Sequence, residues 1–184
     1  MHQRGRSVAV IDIDDTARTS LEASEDEGKY LPFPVAETFL DDFEDVEFIV
    51  IDHPPHYTAE TAADVLVIPT TPVRGSFAAL RRQLEGLEKN MPRGNKIIVA
   101  LNEISNASRD REEIADAIEA YCREKKFVCV RLRKRSAHEY AHNRGGTVYQ
   151  RECVRGASSA GVREAREDME ALLVAVAKAA GVKI

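Results

Sequence analysis

Nowhere in this chain do apolar residues run on long enough to cross a bilayer, which takes about 20 in succession. Nor does its beginning show the charged, apolar and small-residue order of a signal peptide. Both absences argue against a membrane protein and lead us to expect a cytoplasmic one. Cysteine is scarce: Cys122, Cys129 and Cys153 are odd in number and show no C-x-x-C spacing. A disulfide framework is therefore not indicated, and free thiols in a reducing compartment are the simplest reading. Internal repeats and low-complexity tracts are also missing, which sets aside solenoids and disordered linkers.

What the chain does have is the composition of a globular domain: 184 residues, 43% hydrophobic and 31% charged, enough to bury a core as a single domain over residues 1–184. Its net charge of -5 hides an asymmetry. Glu22 to Glu47 holds ten acidic residues against one base, Lys29, whereas Arg131 to Arg155 holds seven bases and only two acids, Glu139 and Glu152. A split of this kind marks either a basic surface facing nucleic acid or a solvated face.

Short apolar runs alternate with helix-periodic stretches. Strands are expected at Val8–Ile13, Phe48–Asp52, Val65–Ile68, Ile97–Leu101 and Phe127–Leu132. Helices are expected at Thr38–Asp45, Thr58–Asp64, Ser76–Lys89, Asp110–Lys125, Ala137–Arg144 and Ala160–Ala180. Phe77, Leu80, Leu84 and Leu87 fall on one face of the third of these, and Met169, Leu172, Leu173 and Val176 on one face of the last. Pro32 and Pro34 keep LPFPV from being a central strand. Thr16–Gly28 reads as a loop or weak helix, Met91–Asn95 as a turn, and Gly145-Gly146 as a break. The alternation predicts an α/β protein with a mostly parallel sheet covered by helices on both faces.

FIVIDHPPHY, Phe48 to Tyr57, is the most informative stretch. Four apolar, mostly β-branched residues read as a buried strand, ending in the carboxylate of Asp52 and stopped by Pro54-Pro55. Ligands of parallel α/β sheets bind beyond the carboxyl ends of the strands, where an Asp can hold Mg²⁺ or its water beside a phosphate. The bland reading is a turn-forming Asp. Other segments in the same order give the stretch its meaning: VAVIDIDDTARTS from Val8, PFPV from Pro32, ADVLVIPTTP from Ala63, ALNEI around Asn102 and LRKRSAHEYAHNRGGTV from Leu132. Together they resemble the ParA/MinD family of deviant Walker ATPases, and most nearly its small ParF-like partition proteins. FIVIDHPP is similar to the Walker B and switch sequence. In the last segment Arg133, Arg135, Ala137, Ala141, Gly145 and Val148 fall in register with the family's late signature, with His138 where the family has Tyr.

The resemblance implies a P-loop NTPase fold of the SIMIBI type, with ATP and Mg²⁺ as cofactors. It implies Asp14 as the catalytic carboxylate that positions the attacking water, and Asp12, Asp52, Pro54 and Asn102 as cofactor-binding residues. Mg²⁺ would be held by Asp52 and Asp14 once nucleotide is bound. It further implies a homodimer, a ParB-like or other adaptor partner and no membrane, and it implies contact with non-specific DNA, nucleoid-associated, through Arg131, Arg133, Lys134 and Arg135. Yet the sequence contains no G-x-x-x-x-G-K-[ST]. The likeness begins at the family's second strand, so the first strand, P-loop and first helix are absent from these residues as a block, and tight MgATP binding by them alone is not expected. Departures elsewhere are Asp15-Thr16 in place of Pro-Gln, and His53 and His56 around the proline pair. The alternatives are a non-catalytic ParA-like adaptor that binds DNA or a partner protein and, remotely, a zinc hydrolase using H-E-x-x-H at His138, Glu139 and His142, with Glu164 or Glu167 as third ligand. The short helix and the adjoining basic cluster disfavour the zinc site.

Overall fold

A computed structural model describes residues 5–14, 33–39, 43, 45–54, 63–90, 96–105 and 108–183. The expected loop at Thr16–Gly28, the turn at Met91–Asn95 and most of the helices at Thr38–Asp45 and Thr58–Asp64 lie outside those residues. The chain divides into two compact units, one of residues 1–57 and 139–156, the other of residues 58–138 and 157–183.

In the first unit, β1 (Val8–Asp12) lies between β2 (Val35–Ala36) and β3 (Phe48–Asp52), all parallel. Proline explains why β2 is only a two-residue edge strand: Pro34 lacks the N–H a central strand needs, but its carbonyl still accepts the N–H of Val10 at 2.9 Å. All of β1 is buried. Ala9 and Ile11 pack with Ala36 and Phe43, and Val46 and Ile49 close the cluster. The start of the β1–β3 pair is pinned by Ser7, whose N–H reaches the Glu47 carboxylate at 3.1 Å and whose hydroxyl accepts the Glu47 N–H at 3.0 Å.

β3 forms as expected but is not buried. None of its residues is fully covered, and Val50 is 53% exposed although its register partner Val10 is only 8% exposed. The cause is position. Among the described residues β3 pairs with β1 alone, so an apolar run that reads as an interior strand occupies a sheet edge.

The second unit carries β4 (Val65–Thr70), α1 (Arg74–Asn90), β5 (Lys96–Ile104), α2 (Arg109–Lys125), β6 (Val128–Arg133) and α4 (Ser159–Ala180), while α3 (Ser136–Asn143) leads out of β6. Its sheet is parallel, in the order β4-β5-β6. Pro69 is tolerated within β4 because that strand is an edge. Alternate residues of β5 serve opposite faces. Ile97, Val99 and Leu101 meet Leu80, Leu84 and Leu87 of α1 and Ala115, Ile118 and Cys122 of α2 in one core, whereas Ile98 and Ala100 face the other way, toward α4. The α1 stripe is thus the core face the periodicity predicted. On α4 the fully buried residues are Ala165 and Ala177, and Met169, Leu172, Leu173 and Val176 are only half-covered.

The helix ends follow local chemistry. Ser108 caps α2 by accepting the Arg111 N–H, Asp110 and Glu112 stand in its positive first turn, and Lys126 closes it at φ +62°. α3 stops in a Schellman motif: Gly145 N–H donates to the His142 carbonyl at 2.9 Å and Gly146 N–H to that of Ala141 at 3.0 Å. Gly145 supplies the left-handed φ of +65°. A Cβ on Gly146 would run into Cys153 Sγ and Gln150 Oε1. Both glycines of the expected break are therefore required, for different reasons.

Candidate functional site

Parallel register brings two of the expected carboxylates together. Asp12 and Asp52 are direct partners at the C-terminal ends of the adjacent strands β1 and β3. Beyond them the Ile13 N–H donates to the Asp52 carbonyl at 3.0 Å, extending the pairing one residue past the strand. Asp12 is 4% exposed and Asp14 8%. Asp12 Oδ1 accepts the Asp14 N–H at 3.1 Å, an Asx turn that shapes the exit from β1. Asp12 therefore shapes its own loop as well as lying beside Asp52. Asp52, His53 and Pro54 are half-buried.

Burial holds the His53 imidazole below its ordinary value, with Asp52 opposing. An acidic strand end flanked by an imidazole that resists protonation presents negative charge and hydrogen-bond acceptors. Such an end suits a cation or its hydration shell. No group of three or more His, Cys, Asp or Glu able to hold a metal forms among the described residues.

Asn102 belongs to the other unit. It is exposed at a bulge that interrupts the β5–β6 register between Leu101 and Ile104, and its Oδ1 accepts the N–H of Glu103 at 2.8 Å. Glu103 takes φ +56°, an uncommon conformation for a non-glycine residue, and its carbonyl accepts from Arg111. The strand was expected to end at Leu101; the bulge carries it on to Ile104.

Arg131, Arg133 and Arg135 alternate along β6 and its exit, and each guanidinium meets carboxylates. Arg131 reaches Glu112 at 3.0 Å and Glu119 at 2.7 Å, and also pairs with Asp116. Arg133 meets Glu112 at 2.9 Å. Arg135 meets Asp168 at 2.6 Å and also pairs with Glu164. These contacts hold the guanidinium of Arg131 above its ordinary value, chiefly through Glu119, and that of Arg135 through Asp168. Lys134 is exposed, and its backbone N–H donates to the Ile104 carbonyl at 2.9 Å. The sequence reading names none of these carboxylates as an arginine partner. Their signal was there: Glu112, Asp116 and Glu119 repeat at helical spacing on one face of α2, and Glu164 and Asp168 do so on α4.

The same contacts bear on the H-E-x-x-H segment. Glu164 is engaged by Arg135, and Glu167 pairs with Arg163 at 3.6 Å on an exposed face of α4. His138 is half-buried, while Glu139 and His142 are exposed. Burial pushes the His138 imidazole below its ordinary 6.5, Asp168 opposes this, and Arg135 reinforces it. A base whose folded value is depressed binds fewer protons in the folded state between the two values. Its contribution is therefore intact above about pH 6.5 and is lost as pH falls below that. We expect urea-unfolding stability to decline below about pH 6.5, and a His138→Gln variant to decline less steeply, by at most ~1.4 kcal/mol per pH unit. Parallel profiles for the two proteins would show that His138 is not buried neutral.

No protein-family model and no curated protein sequence matches the chain. Solved structures do. The MinD cell division protein of Aquifex aeolicus superimposes with a TM-score of 0.55 at 19% identity, covering 91% of this chain and 86% of that one. The MinC:MinD cell division protein complex of the same organism gives 0.52 at 19%, covering 91% and 85%. The fold is thus of the MinD type, as the motif order implied, with parallel strands and intervening helices. Among the described residues no helix is long and apolar enough to cross a membrane.

Proposed function

We propose that these residues form the carboxylate-bearing part of a ParA/MinD-type positioning ATPase, with Asp12 and Asp52 supporting Mg²⁺ beside a nucleotide and Asp14 directing the attacking water. The observation that carries the reading is the direct pairing of Asp12 with Asp52 at the carboxyl ends of two parallel strands, in a fold shared with MinD. Phosphoryl transfer needs positioning and charge neutralisation more than covalent chemistry, and carboxylates fixed at strand ends supply the acidic half of that requirement. The phosphate-holding half, a glycine-rich loop with its lysine, is not among these 184 residues. Pro54 would hold the switch turn.

Titration calorimetry tests the proposal. The 184-residue chain alone should bind MgATP no more tightly than about millimolar, since backbone N–H groups of a phosphate loop carry most of the grip. Fusing a K-G-G-x-G-K-T strand–loop–helix segment ahead of Val8 should bring binding into the micromolar range, and Asp52→Asn in that fusion should lower it. Micromolar binding by the unfused chain would refute the missing-loop reading. A fusion that folds without binding would leave the non-catalytic adaptor.

The arginine geometry weighs against DNA as the ligand of this cluster. Phosphates approaching Arg131, Arg133 or Arg135 would compete with carboxylates already within hydrogen-bond distance. One of the solved MinD structures is a complex with a second protein, MinC.

A further inference from the structure

We propose that Cys122 and Cys129 are a redox modification site that closes reversibly into an intramolecular disulfide linking α2 to β6. Cys122 occupies the end of α2 and is fully buried. Two residues past Cys122's helix exit at Lys126 and Phe127, β6 begins to run back alongside. The turn is fixed by the Phe127 N–H, which donates to the Cys122 carbonyl at 2.8 Å. Cys129 is the register partner of Val99 on β5, and neighbours in register share a sheet face. Val99 belongs to the same core cluster as Cys122, and Cys129 packs against that cluster. Sequence, turn and register therefore bring the two thiols to the same core face of one unit. Cys153 lies in the other unit, its thiol directed to Gln150 Oε1 at 3.9 Å.

The environment suits a thiol pair that reacts as a unit. Each thiol acts on its neighbour's ionisation, drawing Cys122 below its ordinary value and holding Cys129 above it. A single thiolate, stabilised by its neighbour's S–H, is the attacking species in disulfide chemistry. Glu119 opposes ionisation of both, and Arg131, which is ion-paired to Glu119, favours it at Cys129. Cys129 is half-buried and Cys122 wholly so, and a small oxidant reaches the pair from the Cys129 side.

With hydrogen peroxide as oxidant the chemistry balances. The Cys122 thiolate attacks one peroxide oxygen, the O–O bond breaks, and sulfenic acid forms as the other oxygen leaves as water after taking up a proton. The Cys129 thiol then displaces the sulfenic oxygen as a second water, forming the S–S bond. Two thiols lose two electrons and two protons, and one peroxide becomes two waters.

The wild-type chain itself provides the test. It is treated with a small molar excess of hydrogen peroxide under native conditions, quenched, alkylated in denaturant and digested with trypsin. Cleavage after Arg123 and Lys126 places the two cysteines on separate peptides. The expected product is one cross-linked pair, Cys122 to Cys129, two hydrogens lighter than its parts and released by dithiothreitol, with Cys153 still alkylated. Circular dichroism before and after should be unchanged, and the thermal midpoint should rise on oxidation and return on reduction. Recovery of both thiols in alkylated form would overturn the proposal. So would linkage to Cys153 or to a second chain, or a cross-link formed only once the dichroism is lost. In Cys129→Ser the peroxide-induced rise in midpoint should vanish; its persistence would equally overturn the assignment.

Discussion

Replacing Arg135 with alanine is expected to destabilise the protein by about 2–3 kcal/mol, below the full cost of breaking a buried pair because the site is not wholly dry. Arg135 and Asp168 are each only 16% exposed, and the guanidinium also engages Glu164 one turn earlier on α4. The two carboxylates are held at i and i+4 on a helix, so the planar fork finds both without further ordering. Truncation would leave Asp168 largely desolvated and facing no guanidinium, and it would release the polar tie between α4 and the end of β6. Lysine at position 135 should recover only part of the loss, since a point charge cannot reproduce the fork. Asp168→Ala should cost a similar amount, and the double variant much less than the sum. Urea unfolding of the four proteins measures all of this. A loss under about 0.5 kcal/mol for Arg135→Ala would place the contact among exposed surface pairs of little consequence. The same variant separates structural from nucleic-acid roles. If the arginines serve α4 and α2, Arg133→Ala with Arg135→Ala lowers stability and leaves DNA affinity unchanged at a temperature where both proteins are folded. A uniform loss of DNA affinity across sequences there would restore the phosphate-contact reading.

This arginine cluster also shows where sequence stops being sufficient. The strands around it were legible because their apolar, β-branched runs are short and bounded by turns, and the α1 stripe was legible because its spacing has one solution. Whether Arg131 faces solvent, phosphate or carboxylate depends on which helix packs beside β6, and that is a property of topology. Once α2 is known to be that helix, Glu112, Asp116 and Glu119 become the obvious partners. At the acidic end, the carboxylates could be named from the motif order, but their pairing required the register between β1 and β3, which hydrophobic pattern leaves open. The bulge at Asn102 and Glu103 was hidden for another reason: Glu103 carries no residue-type signal of the left-handed conformation it adopts.

The remaining large prediction sets the two kinds of apolar strand against each other. VAVID, FIVID and the IIVAL of β5 look alike in composition, yet Ile98 is wholly buried and Val50 is 53% exposed. Threonine at position 98 removes apolar contacts in a closed core and buries a hydroxyl, and should cost about 3 kcal/mol. Threonine at position 50 keeps the β-branched shape on a surface that water already reaches, and should change stability by no more than about 0.5 kcal/mol. Val50 is two residues from Asp52, so its neutrality matters for the candidate site as well. If the β3 edge is open next to the carboxylates, a strand bearing a phosphate loop has room to pair there, and binding such a strand should turn Val50→Thr from neutral to destabilising. Measured in the unfused chain and in the K-G-G-x-G-K-T fusion, the cost of Val50→Thr should rise by about 1–2 kcal/mol, the value of burying one aliphatic side chain. An equal cost in both proteins would mean that the added strand does not pair with β3, and that Asp52 does not border a phosphate site.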